Sequence, residues 1–200
     1  MVQRGYRRLN TDNRLVETSY YDGSRKYFPG IKLKGEGIFV DSGKNIFPKI
    51  ISDGWEQKYS STKNPYSHPV SVWWHTLAHR IIPSLSVASG YSSAAIRENV
   101  YVHLDEDSTT LSGGALIYTT QQGGDGSLGG LLVLVPEFED VLRSATRNIN
   151  TCSNDPLCSE EGISLGKYNG AACYACLLLS ETSCSQRNMN LDRNILRNNL

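Results

Sequence analysis

Residues 152–184 read CSNDPLCSEEGISLGKYNGAACYACLLLSETSC and hold all five cysteines of a 200-residue chain, whose first 151 residues contain none. Scattered core cysteines do not segregate in this way. The spacing is Cys152-x5-Cys158, a 14-residue gap, then Cys173-x2-Cys176-x7-Cys184. A Cys-x-x-Cys turn lets two thiolates point at one tetrahedral ion, and two more sulfurs from the cluster would close an S4 zinc site. Three other readings compete. A disulfide framework suits small secreted domains, yet the opening MVQRGYRRLN is basic and polar with no apolar signal core, and an odd count leaves one thiol over. A thioredoxin-like redox pair would follow a strand of a βαβ unit, a setting Cys173 and Cys176 lack, and three further cysteines crowd it. Ordinary buried thiols are the third, and the clustering speaks against them. Zinc is therefore the expected cofactor, and the spacing leaves open which four of the five sulfurs hold it.

The rest of the composition sets bounds. A chain of this length suits one domain, or one domain with an appended subdomain. Basic and acidic residues balance at 20 each, so no global charge draws the protein to nucleic acid or membrane. Residues 1–35 carry eight Arg or Lys against three acids, whereas residues 98–162 carry eleven acids against two Arg. Solvated faces of opposite sign explain this, and a basic face for a phosphate backbone or an acidic partner is the sharper alternative. No apolar run approaches the ~18 residues that cross a bilayer. A soluble, cytoplasmic protein without a membrane partner is expected, in a compartment where thiols stay reduced.

Outward from the cysteines, the chain divides into an N-terminal segment and a larger remainder. Residues 1–69 read as irregular with short strands, Gly37–Val40 and Ile46–Ile51 among them, and as a continuation of the same domain. Residues 70–200 read as the metal-binding domain, with its cluster at 152–184. Within it, Val72, Leu77, Ile81 and Leu85 recur at near-helical spacing behind Pro69, and Pro83 is expected to end or kink that helix. Asn99–Leu104 and Gly114–Thr120 read as strands. LLVLVP, residues 131–136, reads as a strand or buried segment, and Phe138, Val141, Leu142 and Ala145 mark a helix. A last short helix is expected over Leu191–Leu200, capped by Asn190 with Asp192 in its first turn. The fold class is mixed α/β (α+β), a mixed sheet flanked by helices with a C-terminal Cys-rich zinc-binding subdomain.

Three further features invite a function. His75-x3-His79 has the i,i+4 spacing of zinc-protease ligands, but Thr76, Leu77 and Ala78 lie between, so the general-base glutamate is missing. Packed, hydrogen-bonded core histidines are the plainer reading. Gly124–Gly129 within residues 123–130 fits G-x-G-x-x-G, yet no helix follows at once and no lysine supplies a phosphate-loop contact. A tight turn accounts for it, with Asp125 the one candidate functional residue in it. Third, the stretch from Glu181 to Arg193 offers hydrogen bonds to thiolates and a helix cap, and Arg187, Arg193 and Arg197 are candidates for phosphate contact. A metal-dependent nuclease or hydrolase using His75, His79, His103 or Asp125 is the enzymatic alternative, and a protein-interaction scaffold without DNA contact is a third class.

Taken in order, the motifs GEGIF (Gly35–Phe39), HTLAH (His75–His79), SSAAIRE (Ser92–Glu98), GGALIYTT, DGSLGG, Cys-x-x-Asp-Pro-x-Cys, AACYACLLLSETSC and RNMNLDR are similar to those of the MrfA-type zinc-binding domain. That domain, formerly one of unknown function, occurs on the C-terminal side of superfamily 2 DNA helicases. Within it the chain resembles the B-component proteins of DISARM phage defence, over roughly Gly35 to Arg193. The resemblance implies a non-catalytic zinc module, with Cys158, Cys173, Cys176 and Cys184 as metal ligands and Cys152 as the alternative. It also implies a helicase-like partner, DNA contacted indirectly or weakly, and a role in phage defence or DNA repair. Relatives of this kind are longer, so the chain corresponds to their C-terminal part. Their Cys-His-x-Cys is written Cys173-Tyr174-Ala175-Cys176 here. No helicase core is present in the sequence.

Overall fold

The computed structural model describes residues 2–7, 15–43, 65–104, 111–121, 128–160 and 169–198. The chain forms two compact units, Met1–Lys34 with Gln121–Asp125 and Gly35–Thr120 with Gly126–Leu200. In the smaller, β1 (Gly5–Arg7) pairs antiparallel with β2 (Leu15–Glu17), and β3 (Tyr20–Asp22) with β4 (Arg25–Tyr27). Gly23 takes the positive φ, +59°, that the tight β3–β4 turn demands. Tyr20 and Tyr27 stack across that pair with ring centroids 5.5 Å apart.

The larger unit is built around helix α1 (Pro69–Ser89). Pro69 sits in its first turn, where a missing amide costs nothing, and His68 Nδ1 accepts from the Val70 amide at 3.3 Å. From Pro69 to Ile82 every residue but Arg80 is buried, so this is a core helix rather than an amphipathic surface one. It does not end at Pro83. The proline ring is exposed, whereas Ile81, Ile82 and Leu85 are completely buried and hold the last turns in place. The helix stops at Gly90, whose φ of 76° is the left-handed cap a glycine supplies.

The main sheet has the order β5-β7-β6, with β5 at Lys34–Asp41, β6 at Ile96–Leu104 and β7 at Leu111–Gln121. β6 and β7 form an antiparallel ladder running from Ile96 opposite Thr119 to Leu104 opposite Leu111. β5 also runs antiparallel to β7, since Gly35 lies against Thr119 while Val40 lies against Gly114. The expected strands at 37–40, 99–104 and 114–120 fall inside these longer ones. Ile46–Ile51 lies outside the described residues. Strand alternation turns Ile38, Ile96, Val100, Ala115 and Ile117 toward the core and leaves Phe39 and Tyr101 on the outer face, 6.1 Å apart. α1 lies close to this sheet: a Cβ on Gly113 would run into the Trp74 indole.

α1 is further packed by helix α2 (Phe138–Thr146) and helix α4 (Arg193–Arg197), and a one-turn helix α3 covers Leu157–Glu160. LLVLVP is neither strand nor buried. Leu132–Leu134 form a 3-10 turn with Leu132, Val133 and Val135 exposed, and Leu131 alone of the stretch is fully buried. The last helix is shorter than the sequence suggests and begins later. Its cap is Asp192, whose Oδ1 accepts from the Asn194 amide at 2.9 Å, while Asn190 sits two residues earlier at φ 61°. The protein is thus a mixed α/β fold of small sheets and four described helices, with its cysteine cluster near the C-terminus.

Candidate metal centre

Cys152 and Cys158 bracket the turn that leads into α3, where the Cys158 amide donates to the Asn154 carbonyl at 3.0 Å. Cys173 and Cys176 lie on a second tight turn, in which the amides of Cys176, Leu177 and Leu178 all donate to the Cys173 carbonyl at 2.9–3.1 Å. The two turns bring four sulfurs within 4.8 Å of one another. Cys152 Sγ is 3.5 Å from Cys173 Sγ, and Cys176 Sγ is 3.7 Å from both Cys158 Sγ and Cys173 Sγ. All five cysteines are free thiols. Four sulfurs at Zn–S ≈ 2.3 Å define a tetrahedron with edges of about 3.8 Å, so the observed separations fit one zinc.

The thiols titrate unequally. Burial, then the neighbouring Cys176 and Cys173 sulfurs, push Cys158 far up. Burial likewise pushes Cys176 up, to about 11. Burial opposes ionisation of Cys173 too, but hydrogen bonds from the Cys152 thiol and the Ala175 amide outweigh it and bring Cys173 down to about 7. Four thiolates at once therefore require a bound cation, which is what a zinc centre provides.

The surroundings supply positive charge. Arg193 is 1% exposed and donates through Nη2 to Asp155 Oδ1 at 2.6 Å and through Nη1 to the Ile149 carbonyl at 3.2 Å. The other oxygen of Asp155 accepts from the Cys152 amide at 2.7 Å, so one carboxylate ties the arginine to a cysteine backbone. Burial works against the Arg193 charge, and Asp155 with the Cys176 and Cys158 sulfurs outweighs it. Arg80 Nη1 reaches the Cys176 carbonyl at 3.4 Å, while its Nε and Nη2 donate to the carbonyls of Ala145 and Arg147 at 2.8 and 2.7 Å. A zinc with four thiolates carries a net charge of about −2; Arg80 places one positive charge beside it, while that of Arg193 is shared with Asp155.

Cys184 lies elsewhere. Its sulfur is 3.2 Å from His75 Nε2, in a buried group with His79 and Glu98. His75 Nδ1 lies 3.2 Å from the Asn190 carbonyl and His79 Nδ1 lies 2.9 Å from that of Leu177. Glu98 Oε1 is 3.5 Å from His75 Nε2 and accepts from the amide and hydroxyl of Ser185 at 2.8 and 3.1 Å. Burial alone would lower His75, but its contacts to Cys184 and Glu98 outweigh this and hold it at about 9. Burial and the adjacent His75 push His79 down to about 3.

The sulfurs that the structure brings together differ by one exchange from the set the resemblance implies: Cys152, the alternative there, lies with Cys158, Cys173 and Cys176, and Cys184 lies with the two histidines. Glu98 escaped the sequence reading, although a signal for it exists. Ile96, Glu98, Val100 and Val102 alternate along one strand face, and Glu98 is the charged member of an otherwise apolar row. Of the other candidates, His103 is exposed and lines an outer groove of about 570 Å³ with Phe39, Tyr66 and Tyr101. Asp125 lies outside the described residues. Arg193 is buried rather than presented to a phosphate, whereas Arg187 and Arg197 are exposed.

A closed four-sulfur centre on an α/β scaffold marks a zinc-binding domain, and the sequence places it in a family. Residues 77–177 match the MrfA Zn-binding domain, half of the chain, and the protein belongs to that family, with zinc as its cofactor. The match contains Cys152, Cys158, Cys173 and Cys176 and ends before Cys184. The DISARM protein DrmB of Bacillus paralicheniformis (strain ATCC 9945a / NCIMB 11709 / CD-2) is 34% identical over 194 residues, covering 88% of this chain. The chain spans about a third of that relative's length, 34%. No helix among the described residues is long and apolar enough to cross a membrane.

Proposed function

We propose that this chain is a non-catalytic module in which Cys152, Cys158, Cys173 and Cys176 hold one structural zinc, and that it serves a helicase-like partner on DNA in phage defence. The observation that carries the proposal is the gathering of four cysteine Sγ atoms within 4.8 Å of one another. When bound, zinc contributes folding energy there: with four protein sulfurs it has no position left for water or substrate. The turns at 152–158 and 173–177 present the sulfurs, and Asp155 and Arg193 hold the first turn against α4. The defence setting and the partner rest on the likeness to the DISARM protein. The hydrolase alternative fares poorly, because His75 and His79 are 0% and 1% exposed and so are not presented to a substrate.

The test is coexpression of the full chain with a superfamily 2 helicase of a DISARM system, followed by DNA binding across a salt series. Co-elution is expected, with weak DNA binding by the chain alone and a steeper salt dependence for the complex. Cleavage of DNA by the chain alone with Mg, Mn or Zn, abolished by His75→Ala, would overturn the non-catalytic reading. Co-elution with no DNA binding in either form would leave a pure scaffold.

A further inference from the structure

The interior cluster holds a donor set that the protein does not satisfy by itself. His75 and His79 lie one turn apart on α1, with ring centroids 4.5 Å apart. A carbonyl oxygen can only accept, so the bonds to Asn190 O and Leu177 O place a ring proton on each Nδ1 and turn each Nε2 inward, where it offers a lone pair once the ring is neutral. One ring nitrogen of each histidine, one oxygen of Glu98 and Cys184 Sγ lie within 4.8 Å of one another, every residue buried. His79 Nε2 and Glu98 Oε2 have no hydrogen-bond partner among the described residues. Two bare acceptors in a core are costly, and native proteins rarely leave them so. Glu36, the other buried carboxylate on this sheet, shows the contrast. Its oxygens accept from Tyr91 Oη at 2.6 Å and from the amides of Leu131 and Leu132 at 3.2 and 3.3 Å.

We infer that His75, His79, Glu98 and Cys184 form a second metal site, built for a four-coordinate zinc. Two neutral imidazoles, a carboxylate and a thiolate are a borderline donor set that suits this ion. The distances agree. Zn–N near 2.05 Å and Zn–S near 2.3 Å give tetrahedral edges of about 3.6 Å for nitrogen to sulfur and about 3.3 Å for nitrogen to oxygen. His75 Nε2 lies 3.2 Å from Cys184 Sγ and 3.5 Å from Glu98 Oε1. The charge agrees too: a dication with one carboxylate and one thiolate is neutral, as a site without solvent requires. The outer contacts are those of metal ligands. Backbone carbonyls orient both imidazoles, the amides of Gln186 and Asn188 donate to Cys184 Sγ at 3.3 and 3.1 Å, and Ser185 orients Glu98. A metal-free arrangement, with His75 protonated between Cys184 and Glu98, would satisfy one ring and leave His79 Nε2 and Glu98 Oε2 as bare as before.

With all four ligands buried, the ion would be structural, tying α1, β6 and the loop after the sulfur centre at one point. Metal analysis of the purified full chain tests this, paired with zinc X-ray absorption. The expected result is about two zinc per chain, in an average shell mixing sulfur with nitrogen or oxygen. Cys184→Ser and, more gently, Glu98→Gln should each bring the content down to one and leave a sulfur-only shell. Cys173→Ser should leave one zinc in a shell rich in nitrogen and oxygen. One zinc per wild-type chain in a sulfur-only shell would overturn the second site, and that measurement needs no variant to fold. One zinc in a shell rich in nitrogen and oxygen would instead keep this site and overturn the four-cysteine one. No metal at all would overturn both.

Discussion

The four sulfurs and the interior cluster put ligand-type side chains to use under opposite constraints. Cys152, Cys158, Cys173 and Cys176 come from one stretch of chain, and three of them are only partly buried. A net negative centre is tolerable there, because solvent and the guanidinium groups of Arg80 and Arg193 share the charge. His75, His79, Glu98 and Cys184 come from three distant places in the sequence and are all buried. Nothing outside can help them, so their charges must cancel within the group. Closeness in sequence makes a centre easy to fold, while burial decides what charge it can carry.

The strongest way to break this contrast is to remove the sulfur centre. Cys176→Ser is expected to release zinc and unfold the turns at 152–160 and 173–177, at a cost of about 5 kcal/mol or more given what structural zinc contributes in small domains. Hydrogen exchange read by mass spectrometry should show amides of those turns exposed while those of α1 stay protected. Loss of protection throughout α1 would mean that the two centres are one cooperative unit.

Next in size is the link between the sulfur centre and the core. Arg193→Met removes the buried partner of Asp155 and should cost about 3 kcal/mol in urea denaturation. The same change should weaken zinc retention about 10-fold or more in a chelator competition, because Asp155 would no longer hold the Cys152 turn. Unchanged retention would show that the turn stands without the arginine.

Much of this was legible in the sequence, and the failures have physical causes. Clustered cysteines announced zinc because Cys-x-x-Cys geometry is local. Which sulfurs lie together was not legible, because spacing cannot show that Cys184 packs against His75 of α1. Strand periods placed 37–40, 99–104 and 114–120 correctly. Pro83 misled, since a proline ring facing solvent ends a helix only if packing beyond it is weak, and Leu85 is fully buried. LLVLVP misled because an apolar run next to glycines is ambiguous between strand and turn. Glu98 went unseen as a ligand because a charge in an apolar strand face has meaning only once the facing helix is known.

A smaller effect probes how tightly α1 and the sheet fit, the scaffold on which the interior cluster depends. Gly113→Ala puts a methyl group against the Trp74 indole, one residue before His75. About 2 kcal/mol of destabilisation is expected from overpacking, read as a lower urea midpoint with an unchanged slope. The sulfur centre lies outside this contact, so a chelator competition should find its zinc held as in the wild type.

The smallest effect separates the two buried carboxylates. Glu36 has protein donors on both oxygens, which hold its carboxyl below the usual range: burial raises it, and the bonds from Tyr91 and the backbone amides outweigh that. A depressed carboxyl adds stability above its unfolded pKa, near 4.3, and loses it as pH falls through the still lower folded value. Glu36→Gln should therefore cost about 1 kcal/mol at pH 7, with the gap to wild type closing below about pH 4 in an acid titration of stability. Its zinc content should match wild type, because every acceptor it disturbs was satisfied by protein. Glu98→Gln should lower zinc content at pH 7, because the oxygen it alters has no protein donor among the described residues. If both glutamines left the metal untouched, Glu98 would be a second Glu36, a carboxylate buried for structure alone.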